Sequence, residues 1–395
     1  MLSVRINRPF ALATSAYSMA TLIWWLQPAL INEIMLRYRV GESTAGVVAS
    51  LEMTVIAISS VITSWMLKLA SKRSLLLSGV IFTLVGSFFS NITGDFQSML
   101  LTRIVAGAGE GALLAVSSAV LAGSADPDRA YGRLSTIVII ICSAVVFSLP
   151  ISSELAELQY NVFTTVFISC AALAIPVIII SKNATDFRVL EGSQLKWESE
   201  GSKISLLGVG VFLIGITSGS MWPFYYTYGQ QAGLSQTQID AAVGLSTLLS
   251  MGGPMLAAII GASLGRLSQV SLGTIVLTCA IVGMTQLHDP VSYHVSAVFI
   301  IAATYFSLSY FLGYAALLDQ SGRGAGVISG IFLWTGAVGP YVGGVMLEHS
   351  NGTVMSVFSV CANAIAWLFI LNVDRSVRVG NVALSHDRQD ATLGL

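Results

Sequence analysis

The chain has 395 residues, of which 54% are hydrophobic and only 10% charged, with a net charge of −1 and a mean hydropathy of +0.79. Soluble domains carry about 25% charged residues, so this composition excludes a water-soluble globular protein and points to a polytopic membrane protein. The near-zero net charge gives no footprint for nucleic acid. Cys142, Cys170, Cys279 and Cys361 each stand alone in apolar sequence. They form neither a disulfide framework nor a zinc site and read as small apolar residues.

A helix needs about 20 apolar residues to cross a bilayer. Twelve segments qualify in chain order: 9–32, 43–67, 74–93, 97–123, 133–152, 162–181, 204–229, 236–262, 270–287, 292–317, 324–347 and 353–373. The first is longer than the roughly 7–15-residue core of a removable signal and reads as a retained helix. The predicted organisation is all-α: a six-helix bundle over 1–181, a polar linker over 182–203, a second six-helix bundle over 204–373 and a polar, mobile tail over 374–395.

Basic residues orient the spans. With the N-terminus in the cytoplasm, sixteen of the nineteen lysines and arginines face inward, Arg37 and Arg39 face outward, and Arg103 lies inside a span. Both termini are then cytoplasmic. The halves echo one another weakly. Trp25 matches Trp222, "VGES" (40–43) matches "AGLS" (232–235), and "LKLASKR" (67–73) matches "LGRLSQ" (264–269), at offsets of 192 to 197 residues. Ser235 with Gln238 reads as a capping box. A six-plus-six repeat is the pattern of one large class of transporters.

The fourth span contains "RIVAGAGEG" (103–111), with Arg103 followed by Gly107 and Gly111. With the twelve spans and the long central loop, this stretch resembles the major facilitator superfamily, and Glu110 seven residues after Arg103 is similar to its spinster-like and organic-anion branches. "GPYVGG" (339–344), which includes Gly339 and Pro340, and "DQSGR" (319–323) resemble further motifs of that superfamily. The resemblance implies two bundles around a central cavity lined by spans one, four, seven and ten. It puts Arg103 and Glu110 where a substrate or proton would pass. The chain also departs from the pattern. In "SWMLKLASKR" (64–73), Lys68 stands where the superfamily has an aspartate, and Ser64 and Ser71 stand where it has glycines. Gly265 replaces the acid of the second copy, and span five lacks a glycine-rich signature.

Seven helical steps return to nearly the same face about 10 Å along the axis. Arg103 and Glu110 are therefore expected to share a face, too far apart to pair directly. Gly107 leaves a gap on that face for a helix, water or substrate, whereas Gly109 faces away and suits packing. An arginine at mid-membrane costs roughly 2.5–3.5 kcal/mol on insertion scales, so Arg103 needs a cavity or a partner. The alternative to a transport role is a clamp that holds helices through backbone carbonyls or Glu52. Glu52 in span two is either that partner or a protonatable site, and Arg103, Glu110 and Glu52 are the candidates for proton coupling.

Aromatic residues gather on the lining spans: Tyr17, Trp24 and Trp25 with Gln27 on span one, Trp222, Tyr225 and Tyr226 on span seven, Tyr310 and Tyr314 on span ten. With Arg103 they are the candidate substrate contacts, and anchoring at the membrane interface is the competing explanation. Pro223 should kink span seven. Gly107, Gly111, Pro223, Gly339 and Pro340 are the candidate gating and packing positions. "GAGEG" imitates part of a dinucleotide fingerprint but lacks the strand that must precede it. The four histidines have no metal-ligand spacing, and no nucleophile motif or ATP-binding loop occurs. The expectation is a secondary active transporter, proton-coupled, without cofactor or metal, moving a small anionic or aromatic organic solute by alternating access. It is expected as a monomer in the lipid bilayer of a bacterial inner membrane, with no nucleic-acid partner and no enzymatic activity. A proton-driven exporter of amphipathic drugs and a non-transporting membrane sensor are the alternatives.

Overall fold

The computed structural model describes residues 8–67, 69–122, 127–149, 161–182, 201–261, 264–318, 323–350 and 352–393. Most of the expected 182–203 linker and the "DQSG" turn (319–322) lie outside the described residues. The first six helices are α1 (Arg8–Tyr38), α2 (Glu42–Met66), α3 (Lys72–Ile92), α4 (Phe96–Ala122), α5 (Pro127–Phe147) and α6 (Val162–Ile180). The seventh span is α7 (Gly201–Met221), a 3-10 turn (Trp222–Phe224) and α8 (Tyr225–Gln231). The eighth is α9 (Gln236–Ser250) and α10 (Gly252–Ile260). The last four are α11 (Arg266–Gln286), α12 (Pro290–Leu318), α13 (Arg323–His349) and α14 (Thr353–Leu393). Ten helical stretches among the described residues are long and apolar enough to cross a membrane, and α1 and the shorter apolar part of α5 complete the twelve.

Local chemistry sets the breaks and ends. Pro223 has no N–H to donate, and span seven tightens into its 3-10 turn there. Span eight, expected as one run, breaks at Met251 ahead of Gly252, Gly253 and Pro254. The Ser235–Gln238 capping box forms as expected. Asp95 accepts from the Ser98 N–H at 2.8 Å, and Asp289 accepts from the Val291 and Ser292 N–H groups at 3.0 Å. These bonds cap α4 and α12, the corresponding helices of the two halves. Hydrogen bonds from Ser98 and Ser292, side chain and backbone, hold the two aspartates below the usual carboxylate range. The tail expected to be mobile continues α14 as helix to Leu393. Large apolar residues such as Ile58, Phe82, Phe88, Ile259 and Trp334 point outward, as a surface facing lipid requires.

The pseudo-symmetry has a visible axis. Residues exchanged by a two-fold rotation touch each other only beside the axis. Trp25 and Trp222, equivalent in the repeat, meet edge to face at 6.3 Å. Trp222 Nε1 donates to the Trp24 carbonyl at 2.7 Å, and Gln230 Nε2 to Asn32 Oδ1 at 3.4 Å, both across 198 residues. The axis therefore passes between α1 and the end of span seven.

Two further hydrogen bonds join the halves: Ser43 N–H to Glu348 Oε1 and Tyr341 N–H to Ser50 Oγ, each 3.0 Å. Gly46 lies under the Pro340 carbonyl and Gly244 under the Phe147 ring. These contacts lie at mid-depth or toward the end of the bundle away from the termini. At the termini end a shallow, open depression of about 330 Å³ lies on the first half beside Phe10, Arg133, Thr136 and Ile137.

Candidate functional site

Gly107 and Gly111 of α4 face the backbone of α2. A Cβ on Gly107 would lie 3.0 Å from the Glu52 carbonyl oxygen, and one on Gly111 would lie 2.7 Å from Ser59 Cβ. The gap expected at Gly107 is thus filled by a helix rather than by solute. That close approach brings the Glu52 side chain onto Arg103, and the two form a direct ion pair.

Glu110 Oε1 lies 3.7 Å from Arg103 Nη2, which corrects the expectation that the two are too distant to interact. The axial rise separates backbones only. A long arginine and a glutamate that leans toward its helix N-terminus close the interval. Arg103 Nη1 also donates to Ser90 Oγ of α3 at 3.4 Å, and Ser90 shares a 2.8 Å hydrogen bond with Thr102. Cys170 of α6 stands within electrostatic reach of Arg103 and Glu110.

The cluster is sealed: Arg103, Glu52 and Glu110 are each no more than 1% exposed. Two carboxylates oppose one guanidinium, so the cluster carries one negative charge when all are ionised and none when one proton is added. Glu52 Oε2, Glu110 Oε2 and Arg103 Nε have no hydrogen-bond partner among the described residues. Burying net charge is costly, and the arrangement suits a site that exchanges a single proton.

A second feature lies on the axis between the halves. Trp24, Trp25, Ser218, Trp222, Ile300, Ile301, Thr304, Tyr305 and Phe332 line a half-open cavity of about 20 Å³. Trp25 stacks on Tyr305 at 6.0 Å, and Tyr305 meets Phe332 edge to face at 5.9 Å. Of the sequence candidates, Trp24, Trp25 and Trp222 line it, and Tyr17 lies near Tyr305. Arg103 and Glu110 do not, and α13 supplies a wall where α4 was expected to.

The other candidates are buried elsewhere. Tyr225 donates to the Ala297 carbonyl at 3.1 Å, Tyr226 donates to Asp240, and Tyr314 donates to Asp374 at 2.7 Å. The Tyr310 hydroxyl and Gln27 Nε2 are buried without a hydrogen-bond partner among the described residues. Gly339 packs on Gly219 and Ser220 of α7, and Pro340 on Gly46, so both serve helix contact.

Sequence reasoning missed Tyr305, Phe332, Asp240 and Asp374. Tyr305 sits five residues before Tyr310, about 140° around the helix, so the chosen pair Tyr310 and Tyr314 marked the wrong face. Among the described residues no three His, Cys, Asp or Glu side chains gather to hold a metal.

The sequence pattern of the Major Facilitator Superfamily matches residues 12–343. No curated protein matches the chain. Its fold is similar to a solved structure described as a bacterial homolog of the human lysosomal transporter Spinster, inward-facing and unoccupied. The TM-score is 0.66 at 11% identity, over 95% of this chain and 98% of that one. Twelve spans, a two-fold axis between halves, and a family pattern running from the first span into the eleventh agree: this chain belongs to the Major Facilitator Superfamily, and is a multi-pass membrane transporter.

Proposed function

We propose that this transporter is secondary active and proton-coupled, with Glu52, Arg103 and Glu110 as its proton site and the aromatic cavity as its solute site. The observation that carries the reading is the sealed cluster of two carboxylates on one guanidinium, each carboxylate keeping one oxygen unbonded. The protein's own residues have two tasks: the cluster binds or releases one proton, and the aromatic walls hold an organic solute. Residues 1–181 and 204–373 are the two rocking bundles, joined by 182–203, with 374–395 as a cytoplasmic extension. The basic residues favour cytoplasmic termini, the membrane proposed is a bacterial inner membrane, and the closed symmetry within one chain favours a monomer. Contacts that join the halves toward the end away from the termini favour alternating access, with that side shut.

An infrared pH titration of the protein in lipid tests the proton site. The protonated-carboxyl absorption should grow on acidification of the wild type, and one component of that growth should be missing from the Glu52→Gln, Glu110→Gln double variant, the absorption of the other carboxyl groups remaining in both. Identical growth in the wild type and the double variant would overturn the assignment.

A further inference from the structure

We propose that the solute held by the aromatic cavity is an organic cation, an apolar molecule carrying a positive charge. This rests on the reading of that cavity as the solute site and adds the charge of what it takes.

Two independent observations carry it. The first is the wall. Trp24, Trp25, Trp222, Tyr305 and Phe332 surround the space, with Ser218 and Thr304 as hydroxyls and no carboxyl, amine, guanidinium or imidazole group among the lining residues. Aromatic faces carry the negative end of a quadrupole. They attract a cation, most strongly where water is excluded, and repel an anion.

The second is the charge inventory of the interior. Among the described residues the buried acids are Glu52, Glu110, Asp240 and Asp374, and Arg103 is the one buried base. Arg103 is already opposed by two carboxylates, and Asp240 and Asp374 each accept from a tyrosine hydroxyl. Among the buried described residues an anion would find one base, Arg103, which is already opposed by two carboxylates and stands outside the cavity wall.

At about 20 Å³ the space holds a single water molecule. Occupancy therefore requires the walls to part, and a probe larger than the present space is appropriate.

The test uses two probes of the same shape and opposite charge, tetraphenylphosphonium and tetraphenylborate. Their binding to the purified full-length protein is measured by equilibrium dialysis in detergent, with a detergent-only compartment subtracted. The phosphonium should bind at least tenfold more tightly than the borate. Tyr305→Leu should weaken phosphonium binding about tenfold, while Tyr305→Phe, which keeps the ring, should not. Phe332→Leu is the second variant should Tyr305→Leu fail to fold, with the same expected loss. Equal or tighter binding of the borate would overturn the proposal, as would phosphonium binding that ignores both leucine variants. No pH gradient enters the measurement, so failure of proton coupling would leave this result standing, and the infrared titration would stand if charge selectivity failed.

Discussion

Removing the Arg103 guanidinium would leave two carboxylates facing one another in a sealed part of the N-terminal half. Breaking a buried pair by deleting one partner costs about 3–5 kcal/mol. Arg103→Ala should therefore lower the melting temperature sharply, and adding Glu52→Gln and Glu110→Gln should recover most of the loss, because neighbouring sites do not add independently. Thermal unfolding followed by light scattering checks this, and Arg103→Ala melting like the wild type would sink it. That Arg103 needs a partner was legible in the sequence, since an ionised side chain in an apolar run needs a reason, and Glu52 was one of the partners it offered. The contact with Glu110 was not legible, because the reach of two flexible side chains is absent from helical periodicity. The pairing with Glu52 depends on Gly107, 55 residues further along the chain, admitting the α2 backbone.

At the scale of elements, α2 begins after a residue with no side chain to cap it. Glu348 of α13 supplies the missing acceptor to Ser43 N–H at 3.0 Å. A Cβ on Gly41 would sit 2.6 Å from Glu348 Oε1, so the bare glycine leaves the place that the distant carboxylate takes. Serine at an N-cap supplies its own acceptor. Gly41→Ser should therefore evict Glu348 while keeping the helix capped, whereas Glu348→Ala removes the cap outright. Both should raise maleimide labelling of a Ser50→Cys reporter at the seam, and only Glu348→Ala should lose stability, by about 1 kcal/mol. Equal labelling in all three proteins would remove this role.

The spans themselves, the break at Pro223 and the Ser235 capping box could be read from local sequence, because each depends on residues within a few turns. The repeated D-x-x-S before α4 and α12 was equally local. A carboxylate capping a helix 305 residues away leaves no local trace.

Over the whole molecule, apolar composition determines that the fold lies in a membrane, while the location of the cavity depends on which side chains meet across the axis. Equivalent residues of the halves converge there, yet the buried charge cluster belongs to the first half alone. On the proposed function, proton and solute occupy different places, and coupling between them would travel through helices such as α2, which touches Arg103 on one side and α13 on the other. The hydrogen bond from the Trp222 indole to the Trp24 carbonyl spans the same boundary. Three of the seven tryptophans of the chain stand at that point, so the molecule contains its own lamp where the halves meet. With Trp65, Trp197, Trp334 and Trp367 changed to phenylalanine, the remaining emission should shift to the red whenever the two halves separate and water reaches the indoles. A spectrum that stays fixed while solute passes would mean that this joint never opens.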